Sequence, residues 1–387
     1  MHVVVVTNLW PSERRPAWGS FVASRVDALR RAGHDVAVVA VRDHPSAVRR
    51  YASLLAAVWQ AMRRRRAERG EVVVEAHIAY PTGLLAWPVA ARLGAPLVLF
   101  AHGSDVLRLP DRSVLDRALG RWVFGRAALV VANSGYLADE VEARIAVPAE
   151  RIVCVSPGIR YADLAAAAAA ATAESAGRGG RPQELLFVAN LIRRKGLDIL
   201  LAALAELAER GDDVPRLRVV GDGPERPALT RSAREAGLPV EFAGERAHDA
   251  VLAELAAAEV LVVPSREEAL GLAPLEAMAA GCVPVVAAVG GLAESVTDGV
   301  TGFTCPPEDP VALATTLVKA LSAVRDPVRL AALREAGDAL ARHHDVAAAA
   351  VRTIEHHAGL GRTTSRSVRR ATGRSARRSV RRSIRPW

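Results

Sequence analysis

Glu268 and Glu276 flank Gly271 in the segment Ser265-Arg-Glu-Glu-Ala-Leu-Gly-Leu-Ala-Pro-Leu-Glu276. The apolar residues 260–263 read as a strand, Gly271 as a close turn, and 272–280 as a helix that stops at Gly281. A strand, a glycine turn and a helix start bring free backbone N–H groups and the positive end of a helix dipole to one place. That arrangement is an anion site. Carboxylates beside it are poor partners for phosphate but good acceptors for sugar and ribose hydroxyls. Glu268 precedes the helix and Glu276 lies within it.

A cation suited to the same anion comes from an unusual source. Of 51 basic residues in the chain, Lys195 and Lys319 alone are lysines. Where arginine is so favoured, a retained lysine marks a position needing a compact ammonium rather than a planar fork. Lys195 sits in Ala189-Asn-Leu-Ile-Arg-Arg-Lys-Gly196, directly after the strand-like 185–189. Open parallel sheets place ligands at that end of a strand. Arg193 and Arg194 read equally as solvated loop charges or as further anion contacts. His102-Gly-Ser-Asp105 follows the strand-like 97–101 in the same way, and His77 ends another strand. After residues 3–7 a Pro- and Gly-rich loop leads to Gly19-Ser-Phe21 and opens a helix. It carries no Gly-x-Gly-x-x-Gly and is not a dinucleotide fingerprint. Ser134 reads as a helix N-cap, and Gly221-Asp-Gly-Pro-Glu225 as a strand-to-helix turn. Gly244-Glu-Arg246 follows another strand end.

Positioning these groups requires strands that end together. Strand-like runs occur at 3–7, 36–41, 72–75, 97–101, 129–132 and 152–155, and again at 185–189, 217–220, 240–243, 260–263, 283–286 and 302–304. They are apolar throughout rather than alternating, which predicts parallel sheets covered on both faces by helices. Helical stretches between them, several closed by glycine, give two doubly wound α/β domains facing across a cleft. The expected division is 1–165 for the first domain, 166–182 for a linker and 183–345 for the second. A helix at 346–360 is expected to cross back, and an arginine-rich tail at 361–387 to be disordered.

Glu268-x7-Glu276, the following Ala-Met-Ala-Ala-Gly, and then Gly290-Gly291, Glu294, Asp298-Gly299 and Thr301-Gly302 resemble the retaining GT-B glycosyltransferases of family 4. The resemblance covers about residues 1–355. It implies sugar transfer from a nucleoside diphosphate sugar to an acceptor hydroxyl with retention, and two Rossmann-like domains. It further implies that Glu276 accepts from the donor ribose and Glu268 from the transferred sugar. The N–H groups of Gly271 and Leu272, with Lys195 and Arg193 or Arg194, would hold the diphosphate. His102 would stand beside the sugar, Gly19 near the donor and Asp105 on the acceptor side. No Asp-x-Asp metal motif occurs, so no metal and no cofactor beyond the sugar nucleotide co-substrate are expected. The N-terminal segment is similar to members that build cell-surface polysaccharides, which points to a saccharide or lipid-linked acceptor. The alternatives are a nucleotide-sugar epimerase or hydrolase on the same fold, separable by product analysis without acceptor, and an anionic-surface or nucleic-acid-binding protein acting through the basic tail.

Composition bounds the rest. The 387 residues are 51% hydrophobic and 24% charged, which excludes a disordered chain or a disulfide scaffold. Three cysteines without ligand-like spacing fit a reducing cytosol. No secretory signal and no membrane span are expected. The net charge of +9 is carried by ten arginines beyond residue 360, leaving the body near neutral. That balance and the absence of aromatic stacking motifs argue against a specific nucleic-acid partner. Residues 51–69 pair an apolar face with the basic run 63–66, read either as a helix packed on its own sheet or as contact with an anionic lipid surface. The expected location is cytoplasmic, with peripheral attachment to the inner face of the plasma membrane as an option.

Overall fold

In the first half, β-branched runs form β1 (His2–Thr7), β2 (Asp35–Ala40), β3 (Val72–His77), β4 (Leu97–Ala101), β5 (Leu129–Ala132) and β6 (Ile152–Cys154). In the second half they form β7 (Gln183–Val188), β8 (Leu217–Val220), β9 (Val240–Gly244), β10 (Ala258–Val263), β11 (Val283–Ala287) and β12 (Phe303–Cys305). The computed structural model describes residues 1–12, 18–40, 71–175 and 183–370. The strands pair as two six-stranded sheets, ordered β2-β1-β3-β4-β5-β6 and β12-β11-β10-β7-β8-β9. Every pairing is parallel. The central strands are buried on both faces, as continuous valine and leucine runs require.

The helices of the first half are α1 (Ser20–Arg31), α2 (Ala79–Leu93), α3 (Ser104–Leu107), α4 (Val114–Arg126) and α5 (Gly135–Ile145). Then come α6 (Tyr161–Ser175), α7 (Leu197–Arg210), α8 (Arg226–Glu235), α9 (His248–Ala257), α10 (Leu272–Ala279), α11 (Leu292–Ser295), α12 (Pro310–Arg325), α13 (Pro327–His343) and α14 (Val346–Arg370). Side-chain caps start several of them: Ser113 accepts from Asp116 N, Ser134 from Leu137 N, and Asp309 from Ala312 N.

Two expected boundaries are corrected. The alanine-rich stretch placed partly in the first domain and partly in the linker is helix α6, and it belongs to the second domain. Leu164 is buried there with Leu252, Leu255 and Leu275, so the first domain ends before Tyr161. Helix α14 runs through Arg370, into the segment expected to be disordered. Its Val346 and Ala350 pack with Val3, Val5, Val22 and Val26 of the first domain. Arg25 on α1 donates to Thr353 of α14, which ties the returning helix to the first sheet. The basic stretch 51–69, residues 176–182 of the linker, loop residues 13–17 and the tail 371–387 lie outside the described residues. No described helix is long and apolar enough to cross a membrane.

Candidate active site

The strand ends of both sheets supply the site. After β7 the chain makes a 3-10 turn over Arg193–Lys195, in which Lys195 N donates to Ile192 O. Gly196 follows in the left-handed region at φ 73°, and a Cβ there would lie 2.0 Å from the Pro264 carbonyl oxygen. Only glycine lets this turn press against the end of β10, which is what brings Lys195 to the β10 loop. Arg266 locks the two loops together. It makes a two-pronged bond to Asp198 at 2.8 Å on each arm, a third to Glu308 at 2.8 Å, and a fourth to Arg193 O at 2.7 Å. The Lys195 ammonium then pairs with the Glu268 carboxylate, both half-buried.

The loop 268–271 owes its shape to the Gly290-Gly291 pair. A Cβ on Gly290 would lie 2.1 Å from Glu268 O, and one on Gly291 2.2 Å from Ala269 O. Gly291 N donates to Glu268 O. These glycines therefore act by letting two backbones meet. Gly271 is the residue before α10 and no side chain caps that helix. The N–H groups of Gly271, Leu272 and Ala273 have no protein partner among the described residues. Pro274 in the first turn sacrifices no bond, because its position needs no N–H. Three unpaired amides at the start of an eight-residue helix, next to an ammonium, make a site for an anion such as a diphosphate.

Glu276 lies further along α10, half-buried. Burial pushes its carboxyl up to about 7, against the pull of Arg160. It has no hydrogen-bond partner among the described residues. Arg160 also lines a cavity of 780 Å³ between α1 and the segments around Ala162 and Ala247.

The first domain presents His102 from the end of β4. Its Gly103 neighbour stands so close to Ala269 that a Cβ would lie 2.6 Å from the alanine Cβ, so the His102 loop faces the Glu268 loop directly. Ser134 donates to Ala269 O, and Glu294 accepts from Gly135 N and Tyr136 N at the start of α5, so contacts from both sides hold the loops in register. Gly19, the residue before α1, packs on the Leu9 backbone, and Phe21 in the first turn meets the His102 ring at 4.9 Å.

The structure thus sets the His102 loop against the Glu268–Gly271 loop that Lys195 joins, with Leu272 and Glu276 on the helix that follows and Gly19 two residues before Phe21, whose ring meets His102. Arg193 is exposed with no side-chain partner among the described residues. Arg194 is committed to Glu267 at 3.5 Å, and Glu267 also meets Arg108 of the first domain at 3.1 Å. Asp105 is corrected. It does not face an acceptor, because it is 1% exposed and its oxygens accept from Ala79 N, His102 N and Gly103 N. It shapes the His102 loop from beneath. Sequence reasoning missed Arg266 and the glycine-pair contact, and gave Glu294 no role although it lay in the motif.

Residues 19–162 match the model described as Glycosyltransferase Family 4, and residues 182–323 that described as Glycosyl transferases group 1. The 2-deoxystreptamine glucosyltransferase of Streptomyces kanamyceticus is 35% identical over 71% of this chain and 73% of that protein. The chain belongs to glycosyltransferase family 4. Its fold is that of sucrose-phosphate synthase from Thermosynechococcus elongatus, with a TM-score of 0.76 at 19% identity, covering 94% of this chain and 99% of that one. Anabaena HepE in complex with UDP-glucose superposes with a TM-score of 0.68 at 20% identity, over 94% and 99% of the two chains. The family 4 enzyme is therefore a GT-B glycosyltransferase with two Rossmann-like domains, whose loops meet where Gly103 faces Ala269.

Proposed function

We propose that this glycosyltransferase moves a sugar from a nucleoside diphosphate sugar to a hydroxyl of a saccharide or cyclitol acceptor, with the anomeric configuration retained. The observation that carries this reading is the Lys195 ammonium beside the unpaired N–H groups of Gly271, Leu272 and Ala273. Breaking the glycosidic bond leaves charge on the diphosphate, and preorganised donors aimed at that charge lower the barrier most. Glu268, now paired with Lys195, accepts from sugar hydroxyls once the diphosphate draws the ammonium away. Retention by same-side attack is supported by the state of the carboxylates near His102. Asp105 and Glu75 are both buried and fully engaged, which leaves neither as a nucleophile. The acceptor proton then passes to a donor phosphate oxygen as the new bond forms. A cyclitol acceptor is the chemistry named for the 2-deoxystreptamine relative. Attachment to an anionic lipid surface through residues 51–69 and the arginine tail stays part of this proposal. Flotation with liposomes of the full chain and of a chain ending at 360 tests it, and equal binding discards the tail as an anchor.

A melting screen against UDP-, GDP- and ADP-glucose selects the donor, and NMR of the product reads the anomer. An inverted product overturns same-side attack. Glu276 adds a pH prediction. Its carboxyl ionises as pH rises through about 7, and the ionised form accepts hydrogen bonds from both ribose hydroxyls. Donor KM should therefore fall by up to about tenfold between pH 6 and 8. In Glu276→Gln, kinetics across that range should lose this dependence.

A further inference from the structure

Beneath His102 lies a buried chain of ionisable groups that the donor site does not use. Glu75 on β3 is fully buried and receives two bonds from Arg25 of α1, at 2.7 and 3.2 Å. His77, two residues on, sets Nε2 3.4 Å from Glu75 Oε2, the oxygen that also accepts from Arg25 Nε, and Nδ1 3.2 Å from Nε2 of His102. His77 stacks on Phe100 at 4.3 Å. His357 of α14 closes the cluster, with Nδ1 3.6 Å from Glu75.

We propose that the Glu75–His77 pair fixes the tautomer of His102, so that its Nδ1 presents a lone pair to a hydroxyl of the bound sugar. The assignment follows from counting protons. A carboxylate bound in two places by Arg25 only accepts, so His77 carries its proton on Nε2. A neutral His77 then has a lone pair on Nδ1 and must accept from His102. His102 therefore carries its proton on Nε2, and Nδ1 remains as the acceptor. That nitrogen has no protein partner among the described residues.

The protonation states agree. Burial pushes Glu75 up, but Arg25 and the histidines outweigh it and hold the carboxyl far below its usual range. Burial lowers His77 despite the pull of Glu75, and burial, His77 and Arg25 lower His102 strongly. His357, which also faces Glu75, is held down to about 4 by burial. All three rings are thus neutral near pH 7. His77 and Glu75 are positioning residues, since neither touches substrate. The inference rests on His102 lying beside the transferred sugar, as proposed above.

The test is the ring-nitrogen spectrum of the 15N-labelled full chain, with His102 assigned by His102→Gln. The expected result is a neutral ring protonated at Nε2 from pH 6 to 8. A proton on Nδ1, or a cationic ring at pH 7, overturns the relay. His77→Phe keeps the stack on Phe100 and removes the acceptor. With whichever of UDP-, GDP- or ADP-glucose gives the largest melting shift, kcat should fall about 10- to 100-fold while donor KM stays within about threefold. The His102 ring should then show both tautomers. A kcat unchanged in His77→Phe overturns the positioning role. Unchanged kcat in His102→Gln overturns instead the placement of His102 at the sugar, while the wild-type spectrum still judges the relay.

Discussion

Replacing Lys195 with alanine is expected to lower kcat by about 10²- to 10³-fold, the scale seen when one preorganised donor to a developing negative charge is removed. Donor KM should change less, because the three helix amides still meet the ground-state diphosphate. Stability should move by less than about 1 kcal/mol, since both members of the Lys195–Glu268 pair reach solvent. Lys195→Arg separates charge from shape. A broad planar fork cannot concentrate its charge at one point as the compact ammonium does, so it should restore only part of the lost rate. Steady-state kinetics with matched urea melts measure all three quantities. Full activity in the alanine variant would remove the ammonium from the mechanism.

The second large effect is on stability. Arg25→Ala leaves Glu75 ionised and buried with its main partner gone, and should cost about 3–5 kcal/mol. The loss also removes the bond from Arg25 to Thr353, which keeps only its bond to Ala349 O within α14, so α14 should loosen from the first sheet and exchange its amides faster than α10. His357 of this cluster and His344, a second buried histidine outside it, set the acid limit of the fold. His357 and His344 are held down to about 4 from an ordinary 6.5, mainly by burial. Between those values the unfolded chain binds protons that the folded chain refuses, so stability falls as pH drops from 6.5 towards 4. Glu75 adds a further loss below its ordinary value of 4.5, because its folded carboxyl stays ionised to much lower pH. Glu276, raised to about 7, acts in the opposite sense above 4.5, but one carboxyl is outweighed by two histidines, so a urea-midpoint series should decline between pH 6.5 and 4, and a flat profile there would contradict it.

The parallel sheets were legible because strands buried on both faces leave continuous runs such as Val3–Val6 and Val260–Val263. The loop before α10 was legible for a different reason. Gly271, Glu268 and Glu276 are local in sequence, and helix starts follow local rules. What joins distant segments was hidden. Nothing near Asp105 announces that Ala79 N will share its carboxylate, and nothing near Glu294 points to the start of α5. The alanine run at α6 showed its helical propensity, but which domain it joins was decided by Leu164 packing on Leu252 and Leu275. Glu75 and Arg25 looked like ordinary members of an apolar strand and a helix, and their pairing is a tertiary event.

The most direct measurement is a crystal structure of the enzyme with an intact nucleoside diphosphate sugar. The expected complex places the pyrophosphate within hydrogen-bond reach of Lys195 Nζ and the amides of Gly271 and Leu272, the ribose on Glu276, and the sugar between Glu268 and His102. A diphosphate bound elsewhere, with Lys195 still paired to Glu268, would contradict the account.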